Sequence, residues 1–353
     1  MTSPRSRARI ARTKALSAAN RPNILGRLAA RPYSAGATAA IATLAITAFA
    51  NHRLAKSAER DNPASGKFVD VNGVRLHYVE QGQGEPLVLL HGNGSMIEDF
   101  ASSGLIDLAS KRYRVIAFDR PGFGHSERPR STIWTAEAQA ELIGAALGEL
   151  GIENATVVGH SWGCSVAVAL ALRSPELVRG LVLASGYYYP SVRADVVTMS
   201  APAFPVFGDV IRFTLSPILA RLMWPLLMRK IFGPAPVPNK FEEGFPKEMT
   251  FRPSQIRASA AESALMIPGA FAFRERYSEI KMPVVIVAGE DDRLIDIEDQ
   301  SARLHADLPN SVMHRVRGAG HMVHQTAPEV IIAAIDEAAG SIDGRGKMLP
   351  LAA

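Results

Sequence analysis

The chain has 353 residues, 47% of them hydrophobic, which suffices for one large domain with an insertion or for two ordinary domains and excludes a wholly disordered polymer. Its formal charge of +5 is concentrated at one end: residues 1–58 hold ten Lys and Arg and no Asp or Glu, so the remainder is net acidic. That distribution argues against a nucleic-acid partner, which needs clustered cations on the folded part, and the single cysteine, Cys164, excludes an intrachain disulfide and a cysteine-based metal site.

After a basic tail over residues 1–31, an uncharged stretch over residues 32–52 is rich in Ala, Thr, Ile, Leu and Phe. About 20 such residues cross a bilayer as a helix, so the stretch reads as a single transmembrane anchor, weakly apolar because of its Ala and Thr. Eight basic residues precede it, which places the N-terminus in the cytoplasm and the rest of the chain on the non-cytoplasmic side of the membrane. A cleaved signal peptide, with Ala48-Phe49-Ala50 as the small-x-small site, an organelle transit peptide and a soluble tail remain alternatives. Residues 53–67 are polar, contain Pro63 and Gly66, and read as a linker.

From Phe68 short β-branched runs alternate with helical patches, the rhythm of a mostly parallel sheet with helices on both faces. Strands are expected at 68–71, 74–80, 86–92, 113–119, 155–160, 179–185, 284–290 and 311–317. The first two form a hairpin across Asn72-Gly73, a favoured tight-turn pair. Helices are expected at Thr135–Leu150 and Trp162–Arg173. The core therefore comprises residues 68–186 and 277–345. Between them, residues 187–276 are rich in Pro, Met and aromatics and lack a strand pattern, which predicts an inserted helical lid.

The chemistry centres on Gly159-His160-Ser161-Trp162-Gly163, between the strand run ATVV and the helical run SVAVALAL. In a strand–turn–helix setting the glycines permit a cramped backbone that lifts a serine hydroxyl clear of the turn. A serine needs a base within hydrogen-bond reach and a carboxylate to orient that base. Downstream, one strand runs into Asp291-Asp292-Arg293, and Gly318-Ala319-Gly320-His321 follows the last strand. Ser161 is thus the candidate nucleophile and His321 its base, with the acid in the Asp291-Asp292 pair.

From Phe68 to about residue 340 the chain resembles the α/β-hydrolase superfamily, in the serine branch with a lid after the sixth strand. Four motifs carry the likeness: His91-Gly92-Asn93-Gly94, the run Asp119 to Ser126 (DRPGFGHS), the serine elbow, and the acid and histidine loops. The resemblance implies an eight-stranded sheet, and its Gly-x-x-Asp pattern makes Asp292 the acid. It further implies an oxyanion hole of two backbone amides, falling on Asn93 and Trp162. His91 and the DRPGFGHS loop are read as shaping local backbone, His160 as a neighbour of the elbow and Cys164 as a small core residue. Tyr187–Tyr189 are read either as pocket lining or as a partly buried aromatic cluster. Epoxide hydrolases and haloalkane dehalogenases of similar layout place an aspartate where Ser161 stands.

These readings converge on a membrane-anchored hydrolase that cleaves a carboxylic ester of a small apolar substrate, with no cofactor and no metal. Carbon–carbon bond hydrolysis and a cofactor-free haloperoxidase or perhydrolase activity are compatible with the same triad. A non-catalytic binding protein on this fold is the alternative from a different class.

Overall fold

The computed structural model describes residues 32–340; the basic tail at 1–31 and residues 341–353 lie outside the described residues. A helix, α1 (Pro32–Asp61), is followed by strands β1 (Lys67–Val71), β2 (Val74–Gln81) and β3 (Glu85–Leu90). Helices α2 (Ile97–Ser103) and α3 (Leu105–Ala109) precede β4 (Tyr113–Phe118), and α4 (Ala136–Glu149) precedes β5 (Ala155–His160). Then come α5 (Trp162–Arg173) and β6 (Val178–Ala184). Between β6 and β7 (Val284–Gly289) the regular structure is helical: α6 (Ala194–Met199), α7 (Phe207–Phe213), α8 (Leu215–Phe232), α9 (Asn239–Gly244), α10 (Lys247–Thr250) and α11 (Pro253–Phe273). The chain closes with α12 (Arg303–Asp307), β8 (Ser311–Val316), α13 (Val323–Thr326) and α14 (Pro328–Ala338).

The eight strands form one sheet in the order β1-β2-β4-β3-β5-β6-β7-β8. β2 pairs antiparallel with β1 and β4, and every other pairing is parallel. Asn72 and Gly73 both take positive φ, 51° and 76°, which matches the right-handed twist of the β1–β2 hairpin.

Alternation along the strands builds two cores. Val88, Leu90, Ile116, Phe118, Leu181 and Leu183 pack with α4 and α5 on one face. Leu87, Leu89, Val115, Ala117, Val182 and Val285 pack with α2, α3 and α14 on the other. Burial of each such Leu, Ile or Phe contributes about 1.5–3 kcal/mol, and together these contacts hold the sheet that sets the strand ends in place.

The expected linker at 53–67 is corrected. α1 continues to Asp61, Ala58 is buried in one apolar cluster with Met228, Phe232 and Met249, and Asn51 donates to the carbonyls of Phe213 and Thr214 at 2.9 Å each. A polar run is compatible with a helix when its charges pair at i,i+3, as Lys56 and Glu59 do at 2.8 Å, and here only Pro63 and Gly66 break helix. Residues 32–52, expected as a transmembrane anchor, form the first part of α1. Among the described residues no single helix is long and apolar enough to cross a membrane, because Ala and Thr dilute the apolar content of α1. The bent pair α7 and α8, at 58°, meets the criterion by length and composition. By backbone contacts the chain divides at Phe49/Ala50. On the first side α1 exposes Ile41, Leu44, Ile46 and Phe49.

Candidate active site

The loops that follow β3, β4, β5, β7 and β8 all leave the carboxyl edge of the sheet. Ser161 stands between β5 and α5 at φ 53°, ψ −117°, a left-handed conformation that costs a non-glycine residue roughly 1–3 kcal/mol. The neighbouring glycines make this turn feasible. A Cβ on Gly163 would collide with the Leu90 carbonyl, and one on Gly159 would lie 2.6 Å from the Cys164 backbone. The Ser161 amide donates to the Ala184 carbonyl at 2.9 Å, tying the turn to β6. Ser161 itself is only partly covered.

His321 is buried, and its Nδ1 lies 2.8 Å from Asp292 Oδ2. Asp292 Oδ1 accepts from the amides of Leu294 at 2.7 Å and Ile295 at 3.0 Å. Burial works against a charged Asp292, but His321 and these amides outweigh it and hold the carboxyl below its ordinary range. A carboxylate so held fixes the ring with Nδ1–H toward Asp292 and Nε2 free to accept a proton. Asp291 is instead exposed, and its Oδ2 accepts from the Gly318 amide at 3.0 Å. The fold therefore brings Asp292, and not Asp291, to the imidazole.

Trp162 is the first residue of α5, where an amide has no intrahelical acceptor and the helix dipole adds positive potential. Gly92, across from it, packs against Ser161: a Cβ there would lie 3.1 Å from the serine Cβ. The Asn93 side chain turns away to α11, donating to the Ser259 carbonyl and to Ser263 Oγ, both at 3.2 Å, which leaves its backbone as the group available for oxyanion contact. The His91 Nε2 accepts from the Arg120 amide at 3.0 Å, and Nδ1 lies 2.8 Å from the Gly92 carbonyl. Burial, aided by Arg120, pushes this ring down to about 3, so it is a neutral brace for the loop.

Arg120 reads from the sequence only as part of the backbone-shaping DRPGFGHS loop, without its partner. It is fully buried, donates to the carbonyls of His91 at 2.7 Å and Gly92 at 2.9 Å, and forms a bidentate pair with the buried Glu262 of α11 at 2.5 and 3.0 Å. The available signal was Glu262 itself, a charge in the apolar run AAESALM.

Of the three tyrosines, Tyr188 and Tyr189 join the core on the α5 face, and Tyr187 packs with Ala270 and Ile295 beside the acid loop. Cys164 is buried, and its thiol donates to the Gly159 carbonyl at 3.1 Å. Asp99, His160 and His324 form a buried group whose donor atoms lie within 4.8 Å of one another, a spacing open to a metal ion. Both Asp99 oxygens already have partners: Oδ1 meets His324 Nε2 at 2.9 Å, and Oδ2 accepts from Ser95 at 2.8 Å. His160 Nε2 lies 3.1 Å from the His321 carbonyl, so the group braces the histidine loop from behind.

The sequence profile of the alpha/beta hydrolase fold matches residues 85–328, more than half of the chain. The chain belongs to the α/β-hydrolase family. Haloalkane dehalogenase 2 of Mycobacterium tuberculosis is 28% identical to this hydrolase over 290 residues, covering 79% of this chain and 96% of its own. A 2-hydroxy-6-oxononadienedioate/2-hydroxy-6-oxononatrienedioate hydrolase of Paraburkholderia phymatum is 30% identical over 277 residues, covering 73% and 90%. Among solved structures, a bacterial membrane phospholipase A described as a virulence factor aligns with a TM-score of 0.60 at 22% identity, covering 89% of this chain and 98% of that one, a likeness of fold.

Proposed function

We propose that this hydrolase cleaves an ester, or a related acyl bond, of an apolar substrate through an acyl-enzyme formed on Ser161. The observation that carries the reading is the Asp292-bonded His321 at the strand edge from which Ser161 projects. Ser161 attacks the carbonyl carbon, His321 takes the hydroxyl proton and returns a proton to the leaving group, and Asp292 stabilises the imidazolium. The amides of Asn93 and Trp162 hold the oxyanion. A serine at this position supplies no carboxylate for displacing a halide, which separates this chain from the dehalogenase relative. Carbon–carbon hydrolysis is the second reading, favoured by the Paraburkholderia relative. The apolar neighbours of the acid loop, Tyr187, Met266, Leu294 and Ile295, and Met322 next to His321 favour an uncharged apolar substrate over a dicarboxylate.

The same reading includes attachment to a membrane through α1, with the core unit on the non-cytoplasmic side. The acid-free basic tail, the exposed Ile41, Leu44, Ile46 and Phe49, and the exposed Leu215, Leu219, Leu222 and Leu226 of α8 support it. A fluorophosphonate probe applied to fractionated cells tests both parts. Label is expected at 37.9 kDa in salt-washed membranes, and Ser161→Ala is expected to remove it together with hydrolysis of p-nitrophenyl esters, a loss of roughly 10⁴-fold or more. Label surviving in Ser161→Ala would sink the nucleophile, release by salt alone would sink the attachment, and labelled protein inert toward every ester would favour the carbon–carbon reading.

A further inference from the structure

Apart from the Ser161–His321–Asp292 group, the described residues line an open cavity of about 740 Å³ between the end of α1, the loop after β4, the end of α7 and the start of α11. Its wall carries five arginines, Arg128, Arg130, Arg212, Arg252 and Arg257, together with His125. Lining carboxylates are fewer, Glu59 and Glu127, and neither is free: Glu59 pairs with Arg252 at 3.2 Å and Glu127 accepts from the Arg75 amide. Asp209, behind the wall, is shared by Arg130 and Arg212. Arg128 donates to the Pro121 carbonyl at 2.8 Å and meets Glu262, whose oxygens Arg120 already holds, only at 3.8 Å. Arg257 has no ion-pair partner among the described residues, so the cavity holds more guanidinium than carboxylate charge. The second residue of the 21-residue α11, Ser254, also lines it, so the positive end of that helix dipole faces the same space.

We infer that this cavity is a binding site for a phosphate-bearing ligand, separate from the hydrolytic centre. Arg212 already donates to Asp209 and the Pro253 carbonyl, and Arg252 to Glu59, Gln255 and the carbonyls of Met249 and Gly124; planar guanidinium groups lining one volume match the tetrahedral oxygens of a phosphate, and a cavity of this size accommodates a small organic phosphate or a phospholipid headgroup. Burial pushes Arg128 down to about 10 and lowers Arg257 as well, with Arg130 next in effect; an entering anion relieves that repulsion. The inference stands independently of the role of Ser161.

Calorimetric titration of the full-length protein with inorganic phosphate and with glycerol 1-phosphate tests the free-anion source. Co-sedimentation with phosphatidylcholine vesicles, with and without phosphatidylglycerol, tests the headgroup source. Saturable binding is expected in at least one arm, weakened about tenfold or more by Arg257→Gln, the loss of one charge-assisted contact, and largely kept by Arg257→Lys. Arg257 is partly exposed, so both variants are expected to keep the wild-type melting temperature and fluorophosphonate labelling. The vesicle readout is the Arg257-dependent part, since the basic tail contributes its own attraction to anionic lipid. Absence of saturable binding in both arms, or equal binding by wild type and Arg257→Gln, would overturn the site.

Discussion

Asp291 and Asp292 are neighbours of the same residue type, yet their oxygens meet different partners. One Asp292 oxygen takes two backbone amides and the other faces His321, whereas Asp291 closes the loop onto Gly318. Replacing Asp292 by Asn substitutes an amide for the acceptor that sets the imidazole tautomer. Asp292→Asn is therefore expected to lower kcat by about 10³–10⁴-fold and Asp291→Asn by less than about tenfold, read on any ester that the wild type hydrolyses. Equal losses, or the reverse order, would remove Asp292 from its role.

At the scale of elements, α11 couples the helical insertion to the core. Its Glu262 binds Arg120, which in turn holds the carbonyls of His91 and Gly92 where the loop after β3 approaches Ser161. Removing one member of a buried ion pair leaves an uncompensated charge, which costs about 3–5 kcal/mol, while replacing both with apolar groups of similar volume recovers much of that. Glu262→Gln is accordingly expected to lose at least about 3 kcal/mol in urea unfolding. The double variant Arg120→Met with Glu262→Leu is expected to regain part of the stability without regaining turnover, because His91 and Gly92 still lack the guanidinium. A double variant no more stable than the single, or one with wild-type turnover, would contradict this coupling.

For the whole molecule, several buried ionisable groups set the response to acid. Burial pushes His91 to about 3, His160 well below the ordinary 6.5, and His125 below it. Between 6.5 and those lowered values the unfolded chain binds protons that the native state refuses, so each histidine contributes stability that is lost as pH falls through that window. Glu98 acts in the opposite sense. Burial, with the nearby charge of Asp119, raises it to about 7, so its contribution is complete below 4.5 and lost as pH rises through 7. Three histidines against one glutamate give a net loss, and the lowered aspartates, Asp99, Asp119 and Asp292, titrate below 3.8, outside this window. The melting temperature is expected to fall from pH 7 to pH 5, more steeply in Glu98→Gln, which lacks the opposing group. A rise on acidification would refute the balance.

What was legible in the sequence was local and periodic. Short β-branched apolar runs marked all eight strands to within about two residues, and the paired glycines around Ser161 marked the strand–turn–helix junction, because a buried strand and a strained turn each leave their requirements on adjacent residues. Polarity misled at residues 53–61, since whether a polar run is a linker or a docked helix depends on a buried partner for Ala58 that lies far along the chain. The Arg120–Glu262 pair spans 142 positions, and the arginine cavity gathers residues from α1, the loop after β4, α7 and α11. No periodicity links such positions. Their pairing is decided only when helices of the insertion pack on the sheet, where burying a charge forces it to find its counterpart across the chain.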